Sequence, residues 1–245
     1  MKLIEAKDYK EMSKIAADIM IKKVADNPAI TLGLATGGTP LGIYSSLIDD
    51  HKENGTSYNG VTSFNLDEYA GLSGKDPNSY RSYMNENFFH HIDIQKENTF
   101  VPCGDAEDLQ KACADYEALI KAHKGIDLQI LGIGENGHIG FNEPGTSFDS
   151  ETHVVQLTDS TRQANARYFS SLEAVPQAAV TMGIASIMKS KEILLLVSGK
   201  QKSEALKQLL NSSPDESFPA SVLNKHPYVT ILADKAAIAG LIVNS

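Results

Sequence analysis

Four short apolar runs, each emptying into a loop of glycine or polar residues, constrain this chain more than any other feature. They are residues 29–35 (AITLGLA) before Thr36-Gly37-Gly38-Thr39-Pro40, 61–66 (VTSFNL) before Asp67-Glu68-Tyr69, 126–133 before a glycine-rich stretch ending at Pro144, and 192–197 (EILLLV) before Ser198-Gly199-Lys200-Gln201-Lys202. Apolar runs of this length suit strands buried on both faces. Between them lie segments with apolar residues at helical spacing. Residues 9–26 carry Met12, Ile15, Ala16, Ile19 and Val24; the segment after Pro40 carries Leu41, Tyr44, Leu47 and Ile48; residues 106–121 carry Leu109, Cys113, Tyr116 and Ile120. The alternation predicts an α/β fold: one domain over residues 1–245, with a doubly wound, mostly parallel, Rossmann-like sheet and helices on both faces.

The remaining segments fit that frame. Residues 2–6 read as an edge strand, 98–101 and 153–157 as short strands, and 228–233 as the last strand. Helices are expected from Asn78 or Ser79 to about Phe89, over 159–169, over the apolar 181–188, and after Lys202. His90 and His91, at the end of one helix, suit its C-terminal dipole better than a metal. Thr39 is placed to cap a helix whose first residue is Pro40. In a doubly wound sheet ligands bind beyond the carboxyl ends of the strands. The four polar loops would therefore meet at one edge.

Composition removes several function classes. The formal net charge of −9 argues against a general nucleic-acid or anionic-membrane surface. An anionic small substrate would need a local cluster of Lys, Arg and backbone N–H groups. Two cysteines ten residues apart, Cys103 and Cys113, form neither a metal spacing nor a disulfide framework. The charged start, MKLIEAKDYKEM, has no apolar signal region, so a cytoplasmic location is expected.

The stretch ILGIGENGHIGFNEP, residues 130–144, concentrates acid, base and amide groups on flexible backbone. Gly132-x-Gly134-x-x-Gly137 matches a dinucleotide fingerprint, but that fingerprint needs a helix opening at the third glycine. HIGFNEPGTSF follows instead and offers none. His138 is a candidate general acid/base. Glu143 or Asn136 could set its tautomer and orientation. Asp67, at a strand end, is a second candidate base. Gly37, Gly38 and Thr39 precede a helix N-terminus, which favours an anion; Arg167 and Lys202 are candidate cations for the same phosphate. A carboxylate base, a histidine acid and a phosphate cradle suit proton shuttling on a sugar phosphate.

The motifs LATGGTP, FNLDEYAGL, SYRSYMNENFF, LGIGENGHIGFNEP, LTDSTRQANARYF and SGKQKSEAL, in this order, closely resemble the glucosamine-6-phosphate deaminases over nearly the whole chain. The related 6-phosphogluconolactonases share the fold and a similar glycine–histidine loop, without the Phe-Asn-Glu-Pro seen at Phe141–Pro144 or the Asp-Glu-Tyr at Asp67–Tyr69. The resemblance implies conversion of glucosamine 6-phosphate to fructose 6-phosphate and ammonia, without metal or organic cofactor. It implies that His138 assists ring opening, Asp67 moves a proton from C2 to C1, and Glu143 sets the state of His138. It also implies phosphate contacts at Gly38, Thr39, Arg167 and Lys202 and a mobile lid at residues 157–177. Many members carry Asp where this chain has Asn136, which shifts weight onto Glu143. Hexameric members are activated by N-acetylglucosamine 6-phosphate through basic residues where this chain has His153 and Val155, and through a longer tail. A monomer without that activation is therefore expected. The alternatives are a lactonase or isomerase acting on another sugar phosphate, or a non-catalytic sugar-phosphate sensor.

Overall fold

The chain alternates strand and helix as the apolar runs require. The computed structural model describes residues 1–241. In chain order the elements are β1 (Lys2–Ala6), α1 (Tyr9–Asp26), β2 (Thr31–Leu34), α2 (Leu41–Asn54), β3 (Thr62–Asn65), β4 (Asp67–Tyr69), α3 (Tyr80–Asn87), β5 (Thr99–Phe100), α4 (Leu109–Ala122), β6 (Leu128–Gly132), β7 (His153–Gln156), α5 (Asp159–Asn165), β8 (Ala178–Thr181), α6 (Ile184–Met188), β9 (Glu192–Val197), α7 (Ser203–Asn211), β10 (Val229–Asp234) and α8 (Lys235–Ile238). None of the described helices is long and apolar enough to cross a membrane.

Seven strands form a parallel sheet in the order β1-β10-β9-β6-β2-β3-β5. Period-two alternation sends successive side chains to opposite faces. Ile193, Leu195 and Val197 of β9 enter one core with residues of α4, α6, α7 and α8. Leu194 and Leu196 enter the other with α1, α2 and α3. The sheet is thus doubly wound, as the sequence predicts. From β2 the chain builds outward through β3 to β5, then crosses back and adds β6, β9 and β10 on the other side. The switch point lies between β2 and β6. The strands that precede the four polar loops, β9, β6, β2 and β3, are consecutive neighbours at this centre.

Four expectations need correction. A second, three-stranded antiparallel sheet, β4-β8-β7, stands beside the first. Asp67–Tyr69 is one of its strands, not a loop. The expected helix over 181–188 is confined to Ile184–Met188, because Ala178–Thr181 pairs as β8 between β4 and β7. Thr39 does not cap α2. Pro40 occupies the cap position, its carbonyl accepting from Tyr44 N at 3.0 Å, and the Gly42 N–H goes to the hydroxyl of Tyr9 at 2.9 Å. Leu41, placed on the apolar stripe of α2, is exposed; Ile43 is buried in its stead.

Candidate active site

The turn from β3 to β4 determines the setting of Asp67. Leu66 N still bonds Leu34 O at 3.0 Å, while Met182 N bonds Leu66 O at 2.6 Å. The backbone then pairs antiparallel with β8, Asp67 opposite Thr181. Asp67 therefore sits where the chain leaves one sheet for the other, and it is buried. Its carboxylate has no hydrogen-bond donor among the described residues. Burial, with the neighbouring Glu68 charge adding to it, pushes the Asp67 carboxyl up to about 8. Glu68 points the opposite way and accepts the backbone N–H groups of Tyr69, Tyr80 and Arg81 at 2.8, 2.9 and 3.0 Å, which fixes the start of α3.

The loop after β6 lies against Asp67. A Cβ built on Gly140, where φ is +58°, would lie 3.1 Å from Thr181 Oγ1 and 3.7 Å from Asp67 Oδ2. Phe141 N bonds Thr181 Oγ1 at 3.1 Å, so Thr181 ties the histidine loop to the strand pair that carries Asp67. The glycine spacing that imitates a dinucleotide fingerprint has a different use. A Cβ on Gly134 would lie 2.3 Å from His138 Cε1 and Nδ1, so Gly134 makes room for the imidazole. No helix opens at Gly137, as expected.

Within this loop the hydrogen bonds settle one another. Asn136 Nδ2 donates to Glu143 Oε2 at 2.7 Å. The Asn136 oxygen must then face the ring, and it lies 2.7 Å from His138 Nδ1. An amide oxygen only accepts, so Nδ1 carries the proton and a neutral imidazole keeps a free lone pair on Nε2. Glu143 Oε2 is itself 3.6 Å from Nδ1. The Glu143 side chain is 12% exposed and that of His138 31%, so the carboxylate is enclosed behind a ring open to a substrate. Burial alone would raise the Glu143 carboxyl. The nearby His138 imidazole, the Thr161 hydroxyl and the Asn136 amide outweigh it, lowering the carboxyl to about 2.

Thr161 of α5 is the residue that sequence reasoning missed. Its hydroxyl donates to Glu143 Oε1 at 2.6 Å, and the Thr158 hydroxyl that caps α5 donates to it at 3.0 Å. The motif LTDSTRQANARYF flagged this segment, but a threonine two turns from the obvious arginine carries no signal of its own.

The candidate phosphate residues are gathered unevenly. Gly37, Gly38 and Thr39 leave β2 beside the switch point, and none of their N–H groups has a protein acceptor among the described residues. Lys202 follows β9, two strands away in the sheet. Burial lowers its ammonium, with the charge of Glu135 opposing, and no ion-pair partner meets it among the described residues. Arg167 is exposed, its guanidinium 4.8 Å above the Tyr168 ring. Its neighbour Tyr168 approaches the glycine turn, its hydroxyl 4.0 Å from a Cβ built on Gly38. Arg162 is committed elsewhere, bonding Leu172 O and Val175 O at 3.0 and 3.1 Å. Among the described residues, no group of three or more His, Cys, Asp or Glu is arranged to hold a metal ion.

The family model for glucosamine-6-phosphate isomerases/6-phosphogluconolactonase matches residues 6–231. The chain is 61% identical over 245 residues to glucosamine-6-phosphate deaminase of Halalkalibacterium halodurans, covering 100% of both. It is 54% identical over 237 residues to glucosamine-6-phosphate deaminase 1 of Bacillus subtilis, covering 97% of this chain and 98% of that one. A solved monomeric glucosamine-6-phosphate deaminase superposes with a TM-score of 0.96 at 54% identity, over 98% of this chain and 99% of its own. The 6-phosphogluconolactonase of Thermotoga maritima, 23% identical with a TM-score of 0.75 over 96% of this chain and 99% of its own, shares the fold. The chain belongs to the glucosamine-6-phosphate isomerase/6-phosphogluconolactonase family.

Proposed function

We propose that the chain converts glucosamine 6-phosphate and water to fructose 6-phosphate and ammonia, in amino-sugar breakdown. One observation carries this reading beyond family membership: a donor-free carboxyl at Asp67 lies against the loop of a histidine whose Nε2 is left free. His138 Nε2 accepts the proton of the C1 hydroxyl and returns it to the ring oxygen as the C1–O5 bond breaks, giving the open-chain aldehyde. The Asp67 carboxylate takes the C2 proton, the C2–H electron pair forms the C1–C2 double bond, and the C1 carbonyl pair moves onto its oxygen, which takes a proton from the C2 ammonium to give the enolamine. Asp67 then returns its proton to C1, leaving an iminium at C2. Water adds there and ammonia leaves. A base whose pKa is near the working pH both accepts and returns a proton readily.

Glu143, through Asn136, holds His138 in the required tautomer and stabilises it when it is charged. The phosphate is held by the turn at Gly37, Gly38 and Thr39, by Lys202 and by Arg167. Residues 157–177 act as a lid that brings Arg167 inward and excludes water from the enolamine. The whole chain works as one domain and one subunit in the cytoplasm, with no activation by N-acetylglucosamine 6-phosphate, since His153 and Val155 offer no second phosphate cradle.

The test is ammonia release from glucosamine 6-phosphate, with fructose 6-phosphate measured alongside. Equal yields of both are expected, with hyperbolic kinetics. Hydrolysis of 6-phosphogluconolactone without ammonia release would replace this reading with the lactonase one.

A further inference from the structure

The carbonyl oxygens of the glycine turn are all engaged by tyrosines. Tyr83 Oη of α3 donates to Gly37 O at 2.6 Å. Tyr9 Oη, at the start of α1, lies 3.1 Å from both Gly38 O and Thr39 O and shares its one proton between them. The same oxygen accepts the Gly42 N–H at 2.9 Å, taking a free donor of the first turn of α2. This close approach needs glycine at position 42, where a Cβ would lie 2.5 Å from Ser13 Oγ and 3.1 Å from Tyr9 Oη. Ser13 Oγ in turn bonds Tyr9 O at 2.8 Å and steadies the helix end that carries the tyrosine.

Two consequences bear on anion binding. Tyr9 does the capping that Thr39 would otherwise do, so the Thr39 hydroxyl has no protein partner among the described residues. With its carbonyls tied to tyrosines, the turn cannot rotate its peptide planes without breaking a hydrogen bond. Its N–H groups stay unpartnered among the described residues, available to an anion. Burial, with Tyr168 and Tyr9 adding to it, pushes the Tyr83 phenol up, so it remains a donor at any working pH.

We propose that Tyr9 and Tyr83 are positioning residues of the phosphate site, holding the turn at Gly37–Thr39 with its N–H groups and the Thr39 hydroxyl free for the substrate phosphate. The inference rests on the assignment of that turn to the phosphate. Each tyrosine acts through the backbone it holds. They belong to different helices, α1 and α3, on the same face of the sheet. The turn is therefore held by two independent elements.

The test uses Tyr9→Phe, Tyr83→Phe and the double variant, which keep the ring and remove only the hydroxyl. Loss of one hydrogen bond predicts a KM for glucosamine 6-phosphate and an inhibition constant for inorganic phosphate that both rise about 3- to 10-fold in each single variant. The double variant rises further, with kcat within about 2-fold of wild type. The gain in Tm that inorganic phosphate gives the wild-type protein shrinks in the same order. A merely structural role would lower Tm without phosphate and leave the inhibition constant and the phosphate-dependent gain unchanged; that result overturns the proposal, as does a fall in kcat alone. If wild type releases no ammonia, the functional reading fails, while the thermal-shift arm still decides this inference. Absence of any phosphate-dependent gain in wild type overturns it too.

Discussion

Glu143 and Asp67 are both carboxylates removed from water in the same site, and they stand in opposite states. Burial acts to raise both. Around Glu143 it is outweighed by the Asn136 amide, the Thr161 hydroxyl and the imidazole of His138, and the carboxyl falls to about 2. Around Asp67 burial acts without any donor among the described residues, Glu68 adds a like charge, and the carboxyl rises to about 8. The difference separates the proposed roles: Glu143 remains a fixed anion behind the imidazole, and Asp67 is free to gain and lose a proton near neutral pH. Residue type does not make that assignment; the count of donors does.

The largest expected effect comes from removing the base. Asp67→Asn should lower kcat by about 10²- to 10⁴-fold, with KM changed little. It should also stabilise the fold at alkaline pH. A carboxyl raised from 3.8 to about 8 contributes stability that is full below 3.8 and lost as pH rises through about 8. The variant cannot ionise, so its Tm should exceed that of wild type at about pH 9 and match it at about pH 4. Equal Tm values at both would mean that Asp67 is not destabilised by ionisation.

Glu143→Gln breaks the other half of the comparison. Its amide no longer demands a donor from Asn136, so the order that fixes the Asn136 oxygen towards His138 is lost. We expect kcat to fall by about 10²-fold and the His138 ring to populate the Nε2–H tautomer, read by ¹⁵N chemical shifts. Because Glu143 is lowered from 4.5 to about 2, its contribution to stability is present above 4.5 and lost as pH falls through about 2. The variant should therefore lose Tm at neutral pH and gain resistance to further loss in acid. The smallest effect is Thr161→Val, which removes one donor from Glu143 Oε1 and should raise that carboxyl's pKa while lowering kcat/KM about 2- to 10-fold. A rate and acid limb identical to wild type would show that the Thr161 hydroxyl does not support the anion.

Much of this arrangement was legible in the chain. The inner strands β9 and β10 are buried and largely apolar on both faces, and that pattern marks them without knowledge of their neighbours. α1 matches its expected range because Asp8 caps one end and Asn27 stops the other. Asp67, Asn136, His138 and Glu143 stood out as chemistry placed where strands end. The second sheet was not legible. β4 has three residues and β8 four, too short to show a period, and their pairing joins segments more than a hundred residues apart. Thr39 reads as a cap by residue type, but the donor it would have satisfied is taken by Tyr9 from another helix. Thr161 reads as one more polar residue of α5; only the packing of α5 against the histidine loop gives it a partner. Arg167, a candidate phosphate cation in the sequence, lies exposed in this structure with its guanidinium over the Tyr168 ring.

The contrast between the two carboxylates can be measured directly. Protein labelled with ¹³C at Asp Cγ and Glu Cδ, titrated by NMR with Asp67→Asn and Glu143→Gln to assign the signals, reports each ionisation separately. Asp67 is expected to titrate near 8, and Glu143 to remain ionised down to about 2. An Asp67 signal that titrates near 4, alongside the surface carboxylates, would contradict the account.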